Sequence, residues 1–283
     1  SEMCIRDRSS TGALSFDNVP EKLAVIGGGY IGLEVAAVSK KLGLNVTVVE
    51  MANRILERVT SPIISSFYHS YHESNGVEIR TSTSVIGING DLKVSSVETS
   101  SGIIEADIVV VGIGVLPCQD LAERAGIETN NGIVVNEFCI TSDSNIFSAG
   151  DCTLHPSAFY KRDIRLESVH NAIEQGKTVA SSILGHKEAY DQIPWFWSDQ
   201  YDLKLQMAGL SSGYDECYII GDTDSAEFIA CYGKEGYLIA VDSVNQSRQF
   251  MLFKKALGNG FKLEMSLIKD KNFQPQSIFS SSN

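Results

Sequence analysis

The feature that most constrains this chain is a run of glycines between a predicted strand and a predicted helix. Residues 23–26 form a short apolar run, and residues 30–42 carry the periodicity of an amphipathic helix. Between them, Gly27, Gly29 and Gly32 match the pattern G-x-G-x-x-G. The first glycine permits a tight turn, the second lets the backbone approach a pyrophosphate, and the third lets helix and strand pack closely. The pattern predicts a dinucleotide at the helix N-terminus.

An acidic residue at the end of the next predicted strand extends this pattern. Residues 45–49 alternate and are β-branched, and Glu50 follows them at the spacing of roughly 20 residues that dinucleotide-binding folds show. A carboxylate there accepts hydrogen bonds from a ribose diol and repels a 2′-phosphate, which favours NAD over NADP. Arg54 is a further candidate contact. The helix start at Tyr30 and Ile31 completes the predicted site.

The remaining segments predict an α/β protein followed by a smaller α+β region. No element is predicted for residues 1–8, and residues 9–20 are expected to be a connector. Further helices are predicted over residues 61–74, 121–125, 168–184 and 246–257. Strands are predicted over residues 77–81, a meander at 84–105, and residues 106–111, 132–135, 145–147, 204–208, 216–220, 226–232 and 237–241. The tail from Asn272 is rich in Ser and Gln and is expected to fray.

Composition narrows the possible functions. The formal charge of −12 disfavours non-specific nucleic-acid binding, which needs a basic surface. No apolar run approaches the roughly 18 residues of a membrane span, and no secretory signal opens the chain. The six cysteines show neither a C-x-x-C pair nor a zinc spacing, so we expect free, mostly buried thiols in the cytoplasm and no metal site. His69 and His155 are interpreted as surface or packing residues.

Two later motifs indicate which dinucleotide fold the chain resembles. Residues 112–117 read G-I-G-V-L-P after the buried strand, and residues 141–151 read T-S-D-S-N-I-F-S-A-G-D. With the glycine pattern, they resemble the pyridine nucleotide-disulfide oxidoreductases, a superfamily of flavoproteins. Within that superfamily, the closest resemblance is to the ferredoxin, putidaredoxin and rubredoxin reductases of oxygenase systems. This resemblance is carried by residues 106–117, 165–176 and 194–210.

The resemblance implies an α/β flavoprotein with a Rossmann-like NAD domain, part of an FAD domain and a C-terminal α+β domain. It divides the chain into a connector or FAD-domain remnant (1–21), the NAD-binding domain (22–116), the second segment of the FAD domain (117–190) and the C-terminal reductase domain (191–283). The family begins with an earlier βαβ unit that binds the ADP half of FAD, and none is predicted before Leu23. The expectation is therefore an N-terminally truncated chain with an incomplete FAD site.

The same resemblance implies hydride transfer from NADH to FAD, followed by electron transfer to a 2Fe-2S ferredoxin or a rubredoxin. Glu34 is the candidate for orienting the nicotinamide, with an ordinary helix-surface acid as the alternative. Trp197 is the second catalytic candidate and shares a face with Trp195, and core packing is the alternative for both. A basic docking patch, or a solvated charged loop, is predicted at Lys161, Arg162 and Arg165.

Contacts to the flavin are implied for two segments. The first is Gly150 and Asp151, where Asp151 is expected to bind the ribityl chain. Separately, Gly114 is expected to line the dinucleotide site. A helix start is expected to direct N–H groups at the flavin pyrimidine oxygen and to stabilise the reduced anion. A solvated helix start is the alternative. The residues of this helix start are Glu167, Ser168, Val169 and His170.

Two other functions remain open from the sequence. A lipoamide-dehydrogenase-like disulfide reductase would carry a His-Pro and Glu pair late in the chain, whereas the His-Pro pair here is His155-Pro156 and no histidine follows His186. Residues 9–15 nevertheless resemble that class. The second alternative is a non-catalytic NAD-binding fragment, because a fold does not by itself fix a function.

Overall fold

The computed structural model describes the backbone of residues 7–8 and the whole of residues 19–279. This part of the chain divides into two compact units. The first unit contains the described residues up to Gly114 with Ser198–Leu205 and Ile220–Ala230, and the second contains Val115–Trp197, Gln206–Ile219 and the residues from Cys231. Most of the predicted connector, Cys4 and the last four residues of the predicted tail lie outside the described residues. The predicted four-part domain division remains a prediction.

A parallel sheet forms the centre of the first unit. Up to Val111, the elements are β1 (Asp7–Arg8), β2 (Lys22–Ile26), α1 (Tyr30–Lys41), β3 (Asn45–Val49), α2 (Pro62–Ser74), β4 (Glu78–Arg80), β5 (Val85–Asn89), β6 (Ser96–Thr99), β7 (Gly102–Glu105) and β8 (Ile108–Val111). The sheet has the order β1-β8-β2-β3-β4, with parallel pairing throughout. The prediction that residues 1–8 contain no element is wrong at β1, because its two residues pair with β8.

Helix α1 and an antiparallel meander both pack on this sheet. The helix buries Leu33, Ala36 and Ala37, whose spacing places them on one face, and it contacts β2 and β3. Gly43 then turns the chain with a φ of +93°, as the predicted helix end requires. The meander β5-β6-β7 contributes Val97 and Ile104 to a core shared with the sheet residues Ala24, Val49 and Val109.

The second unit begins with several short elements and one long helix. These are α3 (Asp120–Arg124), β9 (Ile133–Val134), β10 (Thr153–Ser157), β11 (Arg162–Ile164) and α4 (Val169–Ile183). Strand β10 pairs parallel with β9 and antiparallel with β11. Sequence reasoning missed β10 and β11, which contain polar residues and a proline. The strand predicted at residues 145–147 is wrong, because that segment forms only an isolated bridge between Ile140 and Phe147.

The later strands form a second five-stranded sheet in the order β12-β13-β16-β15-β14. They are β12 (Trp195–Gln200), β13 (Leu203–Gly209), β14 (Glu216–Asp222), β15 (Glu227–Lys234) and β16 (Tyr237–Val244). Helix α5 (Ser247–Gly258), helix α6 (Met265–Ile268) and a 3₁₀ helix (Pro275–Phe279) follow. The predicted fraying of the tail is wrong as far as Phe279, because Ile278 is buried and the Phe279 ring packs on Phe261 with centroids 5.5 Å apart.

Candidate functional site

The predicted glycine turn lies at the carboxyl end of β2, beside the turn that follows β8. Gly27 has a φ of +108°, and a Cβ atom there would lie 2.4 Å from the carbonyl oxygen of Gly112. A Cβ atom on Gly32 would lie 2.0 Å from the carbonyl oxygen of Gly27. These two motif glycines are therefore required by close backbone packing, as the sequence predicted.

Gly29 has a different environment from the other two glycines. It is the N-cap of α1, no side chain caps the helix, and a Cβ atom built there would meet nothing within 4 Å. Tyr30 and Ile31 form the first turn of the helix, and the N–H groups of a first turn have no acceptor within the helix. Open space before an uncapped helix N-terminus is the environment that a phosphate needs, so the turn fits a dinucleotide.

Glu50 lies at the end of β3 and braces the same turn. One carboxylate oxygen accepts from the Gly28 N–H at 2.7 Å, and the other accepts from the Ala52 N–H at 2.7 Å. An ionised carboxylate has about four acceptor positions, so two remain for the hydroxyls of a ribose. Glu50 therefore stabilises the turn and still has acceptor positions left for a ligand.

Two arginines lie near this turn, and in the described part of the chain only one of them is hydrogen-bonded to the backbone of its own loop. Arg54, predicted as a cofactor contact, donates from Nη2 to the carbonyl oxygens of Glu57 and Thr60, both at 2.9 Å. It therefore shapes its own loop, and its contact with a nucleotide remains a prediction. Arg58, which sequence reasoning missed, is exposed, and its Nη2 would lie 3.8 Å from a Cβ on Gly114. Gly114 has a φ of +115°, so the second turn also depends on glycine.

Glu34 projects from α1 and accepts a hydrogen bond from the Ser198 hydroxyl at 2.6 Å. Half-burial raises the pKa of Glu34, the Ser198 hydrogen bond opposes that rise, and the nearby Asp199 carboxylate adds to it. Because of this partner and its half-burial, Glu34 is more than the exposed helix acid that was the alternative interpretation. Its predicted contact with a nicotinamide remains a prediction.

A buried line of polar side chains continues behind Glu34, all within the first unit. Gln200 Nε2 donates to Ser198 Oγ at 3.0 Å, and Gln200 Oε1 lies 2.8 Å from His72 Nε2. The Tyr201 hydroxyl lies 3.3 Å from His72 Nδ1. Sequence reasoning did not identify these residues, although the alternation of Ser198 and Gln200 along a strand indicates that they share a face.

In the second unit, the predicted Ala-Gly-Asp segment forms a tight turn before β10. Gly150 has a φ of +90°, and its N–H donates to Gln175 Oε1 at 2.7 Å. Asp151 is exposed, and its backbone carbonyl accepts from Arg165 Nη1 at 3.2 Å. The Asp151 side chain is therefore accessible, and its contact with a flavin remains a prediction.

The start of α4 also has the predicted form. Ser168 is the N-cap: its Oγ accepts from the Asn171 N–H at 3.4 Å and donates to the Trp195 carbonyl at 3.1 Å. The N–H groups of Val169 and His170 precede the first intrahelical bond, and Val169 is exposed. Burial lowers the pKa of His170, and the nearby Lys254 ammonium lowers it further.

The two tryptophans share a face of β12, as predicted. Their ring centroids are 5.2 Å apart, and the Lys254 ammonium lies 4.0 Å from the Trp195 ring centroid. Trp197 is 42% exposed, so core packing does not explain it. Trp195 is half-buried, and its Nε1 and the His170 Nδ1 are buried without a hydrogen-bond partner among the described residues. An exposed indole offers a planar surface on which an aromatic ligand can stack, and the contact of Trp197 with a flavin remains a prediction.

The predicted basic patch is weaker than the sequence indicated. Lys161 and Arg162 are exposed, but Arg165 forms an ion pair with Glu167 at 2.8 Å, which neutralises one of the three cations. This pair also engages Glu167, the first residue of the predicted flavin segment. Two exposed cations therefore remain.

Other site types receive no support within residues 19–279. No group of three or more potential metal-ligating side chains lies close enough to hold an ion, and no helix there is long and apolar enough to cross a membrane. Of the five described cysteines, all free, Cys139 and Cys231 are buried, but Cys118 is exposed. His155 is a buried packing residue, whereas His69 pairs with Glu73 at 3.3 Å.

Comparison with protein families gives two matches. Residues 2–176 match the pyridine nucleotide-disulphide oxidoreductase model, and residues 195–278 match a reductase C-terminal model. The two matches cover the same regions in which sequence reasoning placed the dinucleotide motifs and the tryptophan strand.

Individual relatives agree with these matches. Putidaredoxin reductase of Pseudomonas putida is 41% identical over 261 residues, which is 91% of this chain and 62% of that protein. Rhodocoxin reductase of Rhodococcus erythropolis is 44% identical over 255 residues, which is 89% of this chain and 59% of the relative. The crystal structure of the covalent putidaredoxin reductase-putidaredoxin complex matches with a TM-score of 0.89 at 41% identity, over 92% of this chain and 63% of that one. This chain therefore spans less than two thirds of each relative.

Proposed function

Because this chain belongs to the pyridine nucleotide-disulphide oxidoreductase family, we propose that it serves to pass electrons from NADH through FAD to a small iron–sulfur protein. The names of its relatives, which include putidaredoxin reductase and rubredoxin-NAD(+) reductase, support an acceptor of the 2Fe-2S ferredoxin or rubredoxin type. The free cysteines are compatible with a reducing cytoplasm as the site of action.

When bound, FAD supplies the conversion of a two-electron hydride into single electrons. The first unit binds and orients NADH in this proposal. The N-terminus of α1, open beside Gly29, binds the pyrophosphate, and Glu50 accepts hydrogen bonds from the adenosine ribose. The Glu50 carboxylate disfavours a 2′-phosphate, so NADH is preferred over NADPH. Glu34 holds the nicotinamide amide through its remaining acceptor positions.

The second unit binds the flavin in this proposal. Asp151 accepts hydrogen bonds from the ribityl hydroxyls, and the start of α4 at Val169 and His170 directs N–H groups and the helix dipole at the pyrimidine edge. The exposed Trp197 indole covers one side of the ring system and excludes water. The residues from 117 to 190 then act as an FAD-binding segment.

The environment of Gly29 is the single observation that best supports the NADH part of the proposal. An alanine there fits the protein, because the backbone has a φ of −82° and nothing lies within 4 Å of the added Cβ. The same Cβ would occupy the space next to the helix N-terminus that a pyrophosphate needs. We expect Gly29→Ala to weaken NADH binding by about tenfold or more while leaving the melting temperature within about 2 °C of the parent value.

Calorimetric titration of NADH measures the first quantity, and a thermal melt measures the second. Gly258→Ala is the matched control, because its Cβ also meets nothing within 4 Å and the residue lies at the end of α5. Unchanged NADH affinity in Gly29→Ala would contradict the proposed nucleotide site. The flavin part is tested by the visible spectrum of the purified chain with added FAD: a flavin band that bleaches with NADH supports the reductase, and NADH binding without bleaching leaves only an NAD-binding module.

A further inference from the structure

A continuous line of hydrogen bonds leads from Glu34 into the interior of the first unit. It passes through Ser198, Gln200 and His72 and ends at the Tyr201 hydroxyl, with successive distances of 2.6, 3.0, 2.8 and 3.3 Å. The three central residues have no exposed surface, whereas Glu34 is half-buried. Both ends of the line, Glu34 and Tyr201, are half-buried, and Glu34 is the end that has a carboxylate with acceptor positions left for a ligand.

The direction of every hydrogen bond in this line is fixed by chemistry. An ionised Glu34 carboxylate only accepts, so the Ser198 hydroxyl donates to it. The Ser198 oxygen can then accept the Gln200 N–H, which leaves the Gln200 carbonyl oxygen facing His72. That oxygen requires the His72 proton on Nε2, and the bare Nδ1 then accepts from the Tyr201 hydroxyl. All four donors thus point toward Glu34.

Burial keeps this arrangement in one state. Desolvation lowers the pKa of His72, the hydrogen bond to Gln200 opposes this, and the neighbouring His69 lowers it further, which favours the neutral imidazole. The Gln200 carbonyl oxygen then selects the tautomer with the proton on Nε2. A buried polar network in which every group is satisfied is rigid, because each alternative leaves a donor or an acceptor unpaired. Asp199 is the charged group that acts on Glu34 from β12.

We propose that Ser198, held by Gln200 and His72, is a positioning residue that fixes the Glu34 carboxylate for the nicotinamide end of NADH. The Ser198 hydroxyl occupies one acceptor position of Oε1 and so sets the rotation of the carboxylate plane. The remaining acceptor positions then point in a fixed direction toward an amide N–H₂ group. This inference rests on the proposed binding of NADH and adds the residues that determine the geometry of its nicotinamide contact.

The test compares NADH with ADP-ribose, which has the same pyrophosphate and adenosine ribose but no nicotinamide. We expect Ser198→Ala to weaken NADH binding by about fivefold, because the Glu34 carboxylate loses the hydrogen bond that fixes its orientation, and to leave ADP-ribose binding within about twofold. In the Glu34→Ala background, adding Ser198→Ala should change NADH affinity by less than about twofold, because the carboxylate that Ser198 positions is already absent. Calorimetric titration of both ligands measures these affinities.

Ser243→Ala is the matched control, because Ser243 is also fully buried on a strand of the same sheet and its hydroxyl has no hydrogen-bond partner among the described residues. It should leave both affinities unchanged. If Ser198→Ala fails to fold, Ser198→Cys replaces it, because a thiol of similar size is a weak donor.

Each outcome has a separate meaning. Equal weakening of NADH and ADP-ribose by Ser198→Ala would reduce Ser198 to a packing residue and overturn the inference. Additive losses in the double variant would also overturn it, because Ser198 would then act without Glu34. Failure of the parent chain to bind ADP-ribose would instead reject the proposed nucleotide site itself.

Discussion

Each unit contains one buried histidine in a cluster of hydrogen-bonded polar side chains, and the two clusters fix different groups of the protein. His72 and His155 have 0% and 2% of their surface exposed, and burial lowers the pKa of both imidazoles. Each histidine faces a glutamine side chain, at 2.8 Å and 3.0 Å respectively. The two clusters therefore begin alike, but they end on different groups.

The cluster around His155 ends in a hydrogen bond to the protein backbone. Gln175 Oε1 accepts from the Gly150 N–H and the Thr153 hydroxyl, both at 2.7 Å. With that oxygen occupied, Gln175 Nε2 must donate to His155 Nδ1, so the imidazole is neutral with its proton on Nε2. The cluster thus fixes the path of the chain at the turn that carries Asp151.

The cluster around His72 ends on a side chain instead. Its last donor, Ser198, points at the half-buried Glu34 carboxylate, which has positions left for a ligand. We therefore expect the His155 cluster to determine stability and the His72 cluster to determine binding geometry. Substitutions in the two clusters should therefore have different consequences, and the largest effect is expected where backbone groups lose their partner.

Gln175→Leu should give the largest change. It leaves the buried Gly150 N–H without an acceptor and His155 without a donor, so we expect the second unit to lose about 4 kcal/mol of unfolding free energy. Both tryptophans of the chain lie in that unit, so denaturant unfolding followed by tryptophan fluorescence measures the loss.

Gln119→Leu is the control for this loss. Gln119 also accepts from a glycine N–H, that of Gly132 at 2.7 Å, but it is only part-buried, so water can replace it at a cost of about 1 kcal/mol. Equal losses of unfolding free energy in the two variants would show that the buried His155 cluster stabilises the fold no more than a part-buried hydrogen bond does.

The pH dependence of His155 should give the next largest effect. Burial lowers its pKa from 6.5 to about 4, so the unfolded chain takes up a proton between these values that the folded chain refuses. The stabilising contribution is therefore complete above pH 6.5 and is lost as the pH falls toward 4. Relative to His155→Asn, the parent chain should lose about 3 kcal/mol over that interval.

Parallel denaturant titrations at several pH values measure this difference. Because Asn does not titrate, the stability difference between parent and variant isolates the histidine. If the stability difference stays constant between pH 7 and pH 4, His155 accepts a proton within the folded chain. The hydrogen bond between Gln175 and His155 would then have to rearrange.

Tyr201→Phe should give the smallest effect. It tests whether the end of the His72 cluster farthest from Glu34 affects NADH binding. The Tyr201 hydroxyl makes the longest hydrogen bond of the line, 3.3 Å to His72 Nδ1, and Phe keeps the edge-on packing of the rings. We expect a stability loss of about 0.5 kcal/mol and NADH affinity within about twofold of the parent. Calorimetry and denaturant unfolding measure the two values. A loss of affinity as large as that of Ser198→Ala would show that the line acts as one cooperative unit.

The first unit shows what can be predicted when the determinants are local. The strand-turn-helix at Gly27 to Gly32, the acid at Glu50 and the helix end at Gly43 were predicted from spacing and backbone sterics, and the structure contains each of them. Errors occurred where local pattern was weak. The two-residue strand β1 is too short to have a period, and the tail at Ile278 is ordered by burial rather than by its polar composition.

The sequence by itself determined the dinucleotide fold, because glycine conformations and hydrophobic periods act between residues a few positions apart. It also indicated the reductase family through the resemblance of three stretches. Only the tertiary structure decided which partner Glu34 has, because Ser198 is 164 positions away along the chain. The same holds for the tautomer of His72, which Gln200 sets from 128 positions away. Such contacts depend on how strands and helices pack, and no local pattern in the sequence encodes them.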